Sequence, residues 1–302
     1  MGLDLRGIKI AVIGGDTRDI YLMQELIQLG ASVSAVGFSP CPELSQVHLV
    51  NRLETALIND VQVLIFPMGG TDSEGNIKCL DQDITLRLSP EIASNIPEGV
   101  LVIIGFARDF VKEWALKYKW NMIEIAEMDT VAIMNSIPSA EGALQWAMEK
   151  LSITIHDSNS FVLGFGRLGK TLARMLHGIG ANTTIVARKR SALSRAFEMG
   201  YGCLHISQLS QNISKADVIF NTIPAMVLDE QLLTYLNKDT LIIDIASSPG
   251  GTDFAAAKRL GIQAILTPSL PGLVAPKTGG KILAQVIPQL ILREVSHEYL
   301  RE

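Results

Sequence analysis

Gly164-Phe165-Gly166-Arg167-Leu168-Gly169 follows the apolar run Phe161-Val162-Leu163 and opens into a helical pattern over Leu168–Leu176. This spacing suits the binding of a pyrophosphate. Gly164 permits a tight turn, Gly166 lets the backbone approach the phosphates, and Gly169 lets helix and strand pack closely. The helix start, at Arg167 and Leu168, supplies amide donors. About twenty residues on, an NAD-binding fold places Asp or Glu against the ribose hydroxyls. Here stands Val186-Ala187-Arg188-Lys189-Arg190, three cations and no acid. Such a turn neutralises a 2′-phosphate, Arg188 offering a bidentate fork. The plainer reading is a solvated basic turn. NADP is therefore the expected cofactor, held by Gly164, Gly166, Arg167, Leu168, Gly169, Arg188, Lys189, Thr222 and Pro224.

A second glycine turn, Ile13-Gly14-Gly15-Asp16-Thr17-Arg18-Asp19, is not read as a second dinucleotide site. Asp19 occupies the place of the third glycine and Asp16 adds another charge, and two carboxylates beside a pyrophosphate repel it. Arg18 either meets an anionic substrate or pairs with a neighbouring carboxylate. Long Pro/Gly loops follow the later strands, at Asn221–Ala225, Asp244–Asp253 and Thr267–Gly280, and such loops are more often functional than accidental. The last ends at a helix start. So does Asn135–Gly142, where Pro138 suits a first helical turn and Ser136 or Ser139 suits a cap. Two helix N-termini facing one cleft suit a substrate with two carboxylates, Lys277 adding a formal charge. The substrate set is Arg18, Ser136, Ser139, Lys277 and Thr278, and the proton acceptor is open among water, Asp244 and Lys277. His156 is best explained by a structural hydrogen bond, and His48, His177, His205 and His297 have no catalytic context. The spacings suggest no metal site.

These residues need a framework. Short apolar runs alternate with helical patterns along the chain, the mark of parallel strand–helix–strand units. Strands are expected at Ile8–Ile13, Ser32–Gly37, Val61–Phe66, Val100–Ile104 and Met122–Ile125. In the second half they are expected at Phe161–Gly164, Thr183–Ala187, Val218–Asn221, Leu241–Ile245 and Ala264–Leu266. The fold class is α/β: two doubly wound, Rossmann-like domains with a cleft between them. The first covers residues 1–135 and serves substrate or partner. The second, residues 136–280, binds NADP and begins with a connecting helix over 136–152. Residues 281–302 form a helix, with Pro288 inside it, that returns toward the first domain.

The chain has 302 residues, 48% hydrophobic and 19% charged, which suits packed cores rather than disorder. Its net charge of −5 gives no general attraction for nucleic acid. Three dispersed cysteines suggest neither a disulfide framework nor a zinc knuckle and fit a cytoplasmic setting. No apolar run approaches the roughly 18 residues of a membrane span, and Asp4 and Arg6 break any signal-peptide core.

Taken together, the motifs resemble the dipicolinate synthase A-subunit family of spore-forming bacteria. The resemblance rests on Ile13–Arg18, Asn135–Gly142, and the fingerprint with Thr154-Ile155-His156 before it. Asn221–Pro224, Asp244–Ala246, Pro249–Phe254 and Pro271–Thr278 complete it. It implies oxidation of a dihydrodipicolinate-type intermediate to dipicolinate, a small pyridine dicarboxylate. It also implies a partner, the flavoprotein-like B subunit of that synthase, and expression in the mother-cell cytoplasm. Three positions depart from the family pattern: Ser248 where a basic residue is usual, and Ser269 and Asp157 where Gly is usual or common. Oligomeric state is open, a homo-oligomer included. Two other readings stand beside this one: another NAD(P)-dependent dehydrogenase of a small hydroxy, amino or imino acid, and a dinucleotide-sensing module without turnover.

Overall fold

Runs such as Leu101-Val102-Ile103-Ile104 and Leu241-Ile242-Ile243 are apolar without alternation, as befits strands covered on both faces, and all their side chains are buried. In a computed structural model they are interior strands of two parallel sheets. The structure describes residues 3–53, 57–58, 60–267 and 269–299, the side chains of 296–299 excepted. Pro268, in the last of the long loops, and the His297 side chain lie outside the described residues.

The first sheet is built from β1 (Lys9–Ile13), β2 (Ser32–Val36), β3 (His48–Val50) and β4 (Val63–Ile65). A short antiparallel pair, β5 (Asn76–Ile77) and β6 (Leu86–Arg87), is set apart from it. β7 (Leu101–Ile104) and β8 (Asn121–Glu124) complete the order β3-β2-β1-β4-β7-β8. The second comprises β9 (Asn159–Leu163), β10 (Asn182–Ala187), β11 (Gly202–His205), β12 (Val218–Asn221), β13 (Leu241–Asp244) and β14 (Gln263–Leu266). Its order, β11-β10-β9-β12-β13-β14, repeats the first. In each, the chain reverses direction across the sheet at its first strand, where β1 pairs with both β2 and β4 and β9 with both β10 and β12. Ligands of doubly wound sheets sit beyond the carboxyl ends of the strands at that reversal. The ten strands expected from sequence are present with bounds shifted by no more than two residues, Val218–Asn221 not at all. β3 and β11, three and four residues long and only partly buried, carry too short a pattern to be read.

The chain divides into two compact units, residues 1–132 with 275–302, and residues 133–274. The first is discontinuous because the helix Pro276–Tyr299 buries Leu283, Ile287, Leu290, Ile291 and Val295 in the cluster around Ile10, Val12, Leu22 and Leu26. Each such side chain removed from water contributes roughly 1.5–3 kcal/mol, so this helix is an integral part of that core. It starts at Pro276, so Lys277 and Thr278 belong to its first turn rather than to a loop. Leu270–Val274, expected as loop, is a short helix packed in the second core.

The helix Asp129–Lys150 overturns one expectation. It begins nine residues before Pro138, which lies in its interior. Ser136 and Ser139 therefore cap nothing. Ser136 Oγ donates to Ile133 O at 2.6 Å and lies 2.6 Å from Thr171 Oγ1, and Ser139 Oγ donates to Asn135 O at 2.8 Å. These bonds to carbonyls three and four residues back are the usual use of a hydroxyl inside a helix, here next to the backbone donor that proline lacks.

Candidate functional site

In the second unit the fingerprint adopts the geometry its glycines require. Gly164 sits at φ +94°, and a Cβ there would collide with Thr222 Oγ1. A Cβ on Gly169 would collide with Gly164 O, so the helix Arg167–Ile179 lies directly on the turn. Gly166 precedes that helix with no side chain capping it, and the space where its Cβ would stand is empty. An uncapped helix start beneath an open glycine leaves amide donors and room for a phosphate group. The residues present thus fit a dinucleotide. Thr222 Oγ1 donates to Leu163 O at 2.8 Å, tying the β12 loop to the fingerprint strand, and Pro224 is exposed two residues on.

Arg188, Lys189 and Arg190 follow β10 and are all exposed, and none enters an ion pair among the described residues. What shapes this turn is a residue to which the sequence assigns no role. His205 Nε2 donates to Arg188 O at 3.1 Å, while its Nδ1 accepts from Ser207 N at 3.3 Å. No signal in the sequence pairs residues 188 and 205; strands β10 and β11, in register from Thr184/Gly202 to Ala187/His205, bring them together.

Asp244 is corrected from candidate proton acceptor to scaffold. It is fully buried, and its Oδ2 accepts from Asn221 Nδ2 (3.0 Å), Gly251 N (2.8 Å) and Thr252 Oγ1 (2.7 Å). Oδ1 accepts from Ala246 N at 3.1 Å. Asn221, also fully buried, closes the cluster by accepting from Ile223 N and donating to Ile223 O, both at 3.1 Å. The carboxylate thus locks the loops after β12 and β13 together, fully buried and held by four donors. His156 has a structural bond, Nδ1 donating to Ile179 O at 3.0 Å.

In the first unit, Arg18 and Asp16 form a nearly buried bidentate pair, Nε–Oδ1 2.9 Å and Nη2–Oδ2 2.7 Å. Of the two roles open to Arg18, pairing with a neighbouring carboxylate is the one adopted, and the substrate role is dropped. Burial opposes the Asp16 charge, but Arg18, with Lys78, carries its pKa below the ordinary carboxylate value. Burial likewise opposes the Arg18 charge and is outweighed by the bond to Asp16, so its pKa is raised. Lys277 and Thr278 are exposed in the first turn of their helix. That turn lies against the start of the helix Thr17–Gln28: a Cβ on Gly280 would stand 2.6 Å from Arg18 O and from Tyr21 Cβ. Ser136 and Ser139 belong to the other unit. Among the described residues no three His, Cys, Asp or Glu side chains form a metal-binding group, and no helix is long and apolar enough to cross a membrane.

Two Rossmann-like units, one carrying a complete dinucleotide fingerprint, define a dehydrogenase-type protein. Residues 131–249 match the NAD-binding domain of the D-isomer specific 2-hydroxyacid dehydrogenases, and residues 9–126 match the N-terminal domain of the dipicolinate synthase A subunit. The dipicolinate synthase A subunit of Bacillus subtilis (strain 168) is 36% identical over 287 residues, covering 95% of this chain and 97% of the relative. The crystal structure of its counterpart from Bacillus halodurans superposes with a TM-score of 0.90 at 36% identity, covering 95% of this chain and 99% of the other. A transhydrogenase from Sinorhizobium meliloti, 13% identical over 93% of this chain and 94% of its own with a TM-score of 0.67, shares the fold. The chain belongs to the dipicolinate synthase A-subunit family.

Two of the three departures from the family pattern have a backbone setting. Asp157 and Ser269 both adopt left-handed backbone, φ +62° and +61°, where glycine alone is free of strain. At Ser248 nothing in the structure explains the missing cation.

Proposed function

We propose that this protein oxidises a dihydrodipicolinate-type intermediate to dipicolinate in the cytoplasm of the sporulating mother cell, using NADP and acting with the flavoprotein-like B subunit of the synthase. The whole-chain similarity to the dipicolinate synthase A subunit carries this reading. The preference for NADP is supported by the exposed Arg188-Lys189-Arg190 turn, which enters no ion pair among the described residues and has cations where an NAD site has an acid.

When bound, the nicotinamide supplies a hydride acceptor. The chain's own residues do the rest. The uncapped start of the helix Arg167–Ile179 receives the pyrophosphate. Arg188 and Lys189 receive the 2′-phosphate, with the backbone of Arg188 held by His205. The Asn221–Asp244 cluster fixes the loops beyond β12 and β13. Loss of the hydride and a proton makes the substrate ring aromatic, so the step is strongly downhill and positioning matters more than a powerful base.

The test supplies purified protein with enzymatically generated dihydrodipicolinate precursor and follows dipicolinate absorbance with NADP, NAD or neither, and with or without the B subunit. NADP-dependent formation establishes the reading. Tight NADP binding without acceleration in any combination removes the chemistry and leaves a dinucleotide-binding module. Equal rates with NAD and NADP remove only the cofactor preference.

A further inference from the structure

Arg18 is taken by Asp16, and besides Lys277, exposed on its helix, the first unit offers another cation for a carboxylate. At the carboxyl edge of its sheet, beside the β1/β4 reversal, the loops after β4 and β7 interlock. A Cβ on Gly70, at φ +61°, would collide with Phe106 O, and one on Gly105 with Met68 O. Only glycine allows this approach of backbone to backbone, so these two loops are held as one piece. On it stands Phe106, a large aromatic 44% exposed. The Arg108 guanidinium lies 5.8 Å from its ring centroid and the Lys112 ammonium also 5.8 Å. Lys112 is neutralised by Glu124 at 2.9 Å, and Glu124 also accepts from Ala107 N. Arg108 has no ion pair among the described residues. Its Nε donates to Thr71 O at 3.3 Å, leaving the two terminal nitrogens without a partner among the described residues.

Two further observations fall on the same spot. Thr71 is 3% exposed and its hydroxyl has no hydrogen-bond partner among the described residues. A buried hydroxyl without a partner costs about 1–3 kcal/mol, and this one stands on the residue whose carbonyl holds Arg108. Arg108 immediately precedes the nine-residue helix Asp109–Lys117, whose start has no side-chain cap. Two further acids lie nearby: Asp109, exposed in the first turn, and Asp72, next to Thr71, whose carboxylate accepts from Glu74 N, Asn76 N and Asn76 Nδ2.

We propose that Phe106, Arg108 and Thr71 form a seat for a planar ring carboxylate, the ring packing on Phe106 and the carboxylate taking the free end of the Arg108 fork. That the ring is a pyridine dicarboxylate rests on the proposed function; the seat itself does not. Full-length protein is titrated calorimetrically with pyridine-2,6-dicarboxylate, pyridine-2-carboxylate and benzoate, with and without saturating NADP. Arg108→Gln and Phe106→Ala are each expected to weaken binding at least tenfold. Arg108→Lys is expected to recover part of the loss, and NADP affinity and Tm to stay unchanged. Binding by Arg108→Gln equal to wild type overturns the seat and leaves the proposed reaction standing. Arg108-dependent binding of benzoate and the monocarboxylate, but not of the dicarboxylate, keeps the seat and removes that substrate. Failure of the wild type to bind any of the three overturns the seat.

Discussion

Asp19 is wholly enclosed, with the Asp16 amide donating to its Oδ2 at 2.8 Å. Burial, followed by the adjacent Asp16 charge, pushes its carboxyl pKa up to about 7. A folded-state pKa above the unfolded value near 3.8 stabilises the protein most below about pH 4, and that contribution is lost as the pH rises through about 7. Asp19→Asn keeps the acceptor and removes the titration. Denaturant unfolding from pH 4 to 8 should show the variant gaining on wild type as pH rises, by a few kcal/mol at most; a constant difference contradicts the assignment. Asp244→Asn is the opposite case. It places an NH2 among donors that now share one carboxylate, and a loss of about 2–3 kcal/mol is expected by chemical denaturation. Survival at wild-type stability would show that the carboxylate is not the scaffold described.

Glycine spacing is legible at the level of elements because each glycine answers a local demand, and the fingerprint separates two such demands. Gly166→Ala adds a methyl to open space, so Tm should hold while NADP affinity falls at least tenfold in a binding titration. Gly169→Ala drives a methyl into Gly164 O, so both Tm and affinity should fall. A variant Gly166→Ala with unchanged affinity would place the dinucleotide elsewhere. The helix Asp129–Lys150 shows the limit of local reading. Pro138 between two serines has the composition of a helix start, yet the preceding residues continue the helix and the serine hydroxyls return to its own carbonyls.

For the molecule as a whole, the discontinuous first unit makes the C-terminal helix a structural necessity. Truncation before Pro276 should abolish the cooperative unfolding transition of residues 1–132 and leave the dinucleotide unit foldable. A calorimetric trace retaining both transitions would refute this. The turn after β10 also depends on distant chain, since His205 at the end of β11 holds Arg188 O. Arg188→Ser with Lys189→Ser should weaken NADP at least tenfold and leave NAD within about twofold, measured by titration at fixed ionic strength.

Contiguous residues encode the fold class, ten strands and the dinucleotide turn, through unbroken apolar runs and glycines at set intervals. Those features need no knowledge of what lies elsewhere along the chain. The bond between Asp244 and Asn221 is different, because it joins positions 23 apart, as that between His205 and Arg188 joins positions 17 apart. Such partnerships exist only once parallel strands stand in register. Arg18 illustrates the finer limit. Its partner Asp16 is two residues away and visible in the sequence, but whether the pair is sealed or free depends on what covers it. Burial is a property of the folded chain, because it is made by residues from everywhere along it.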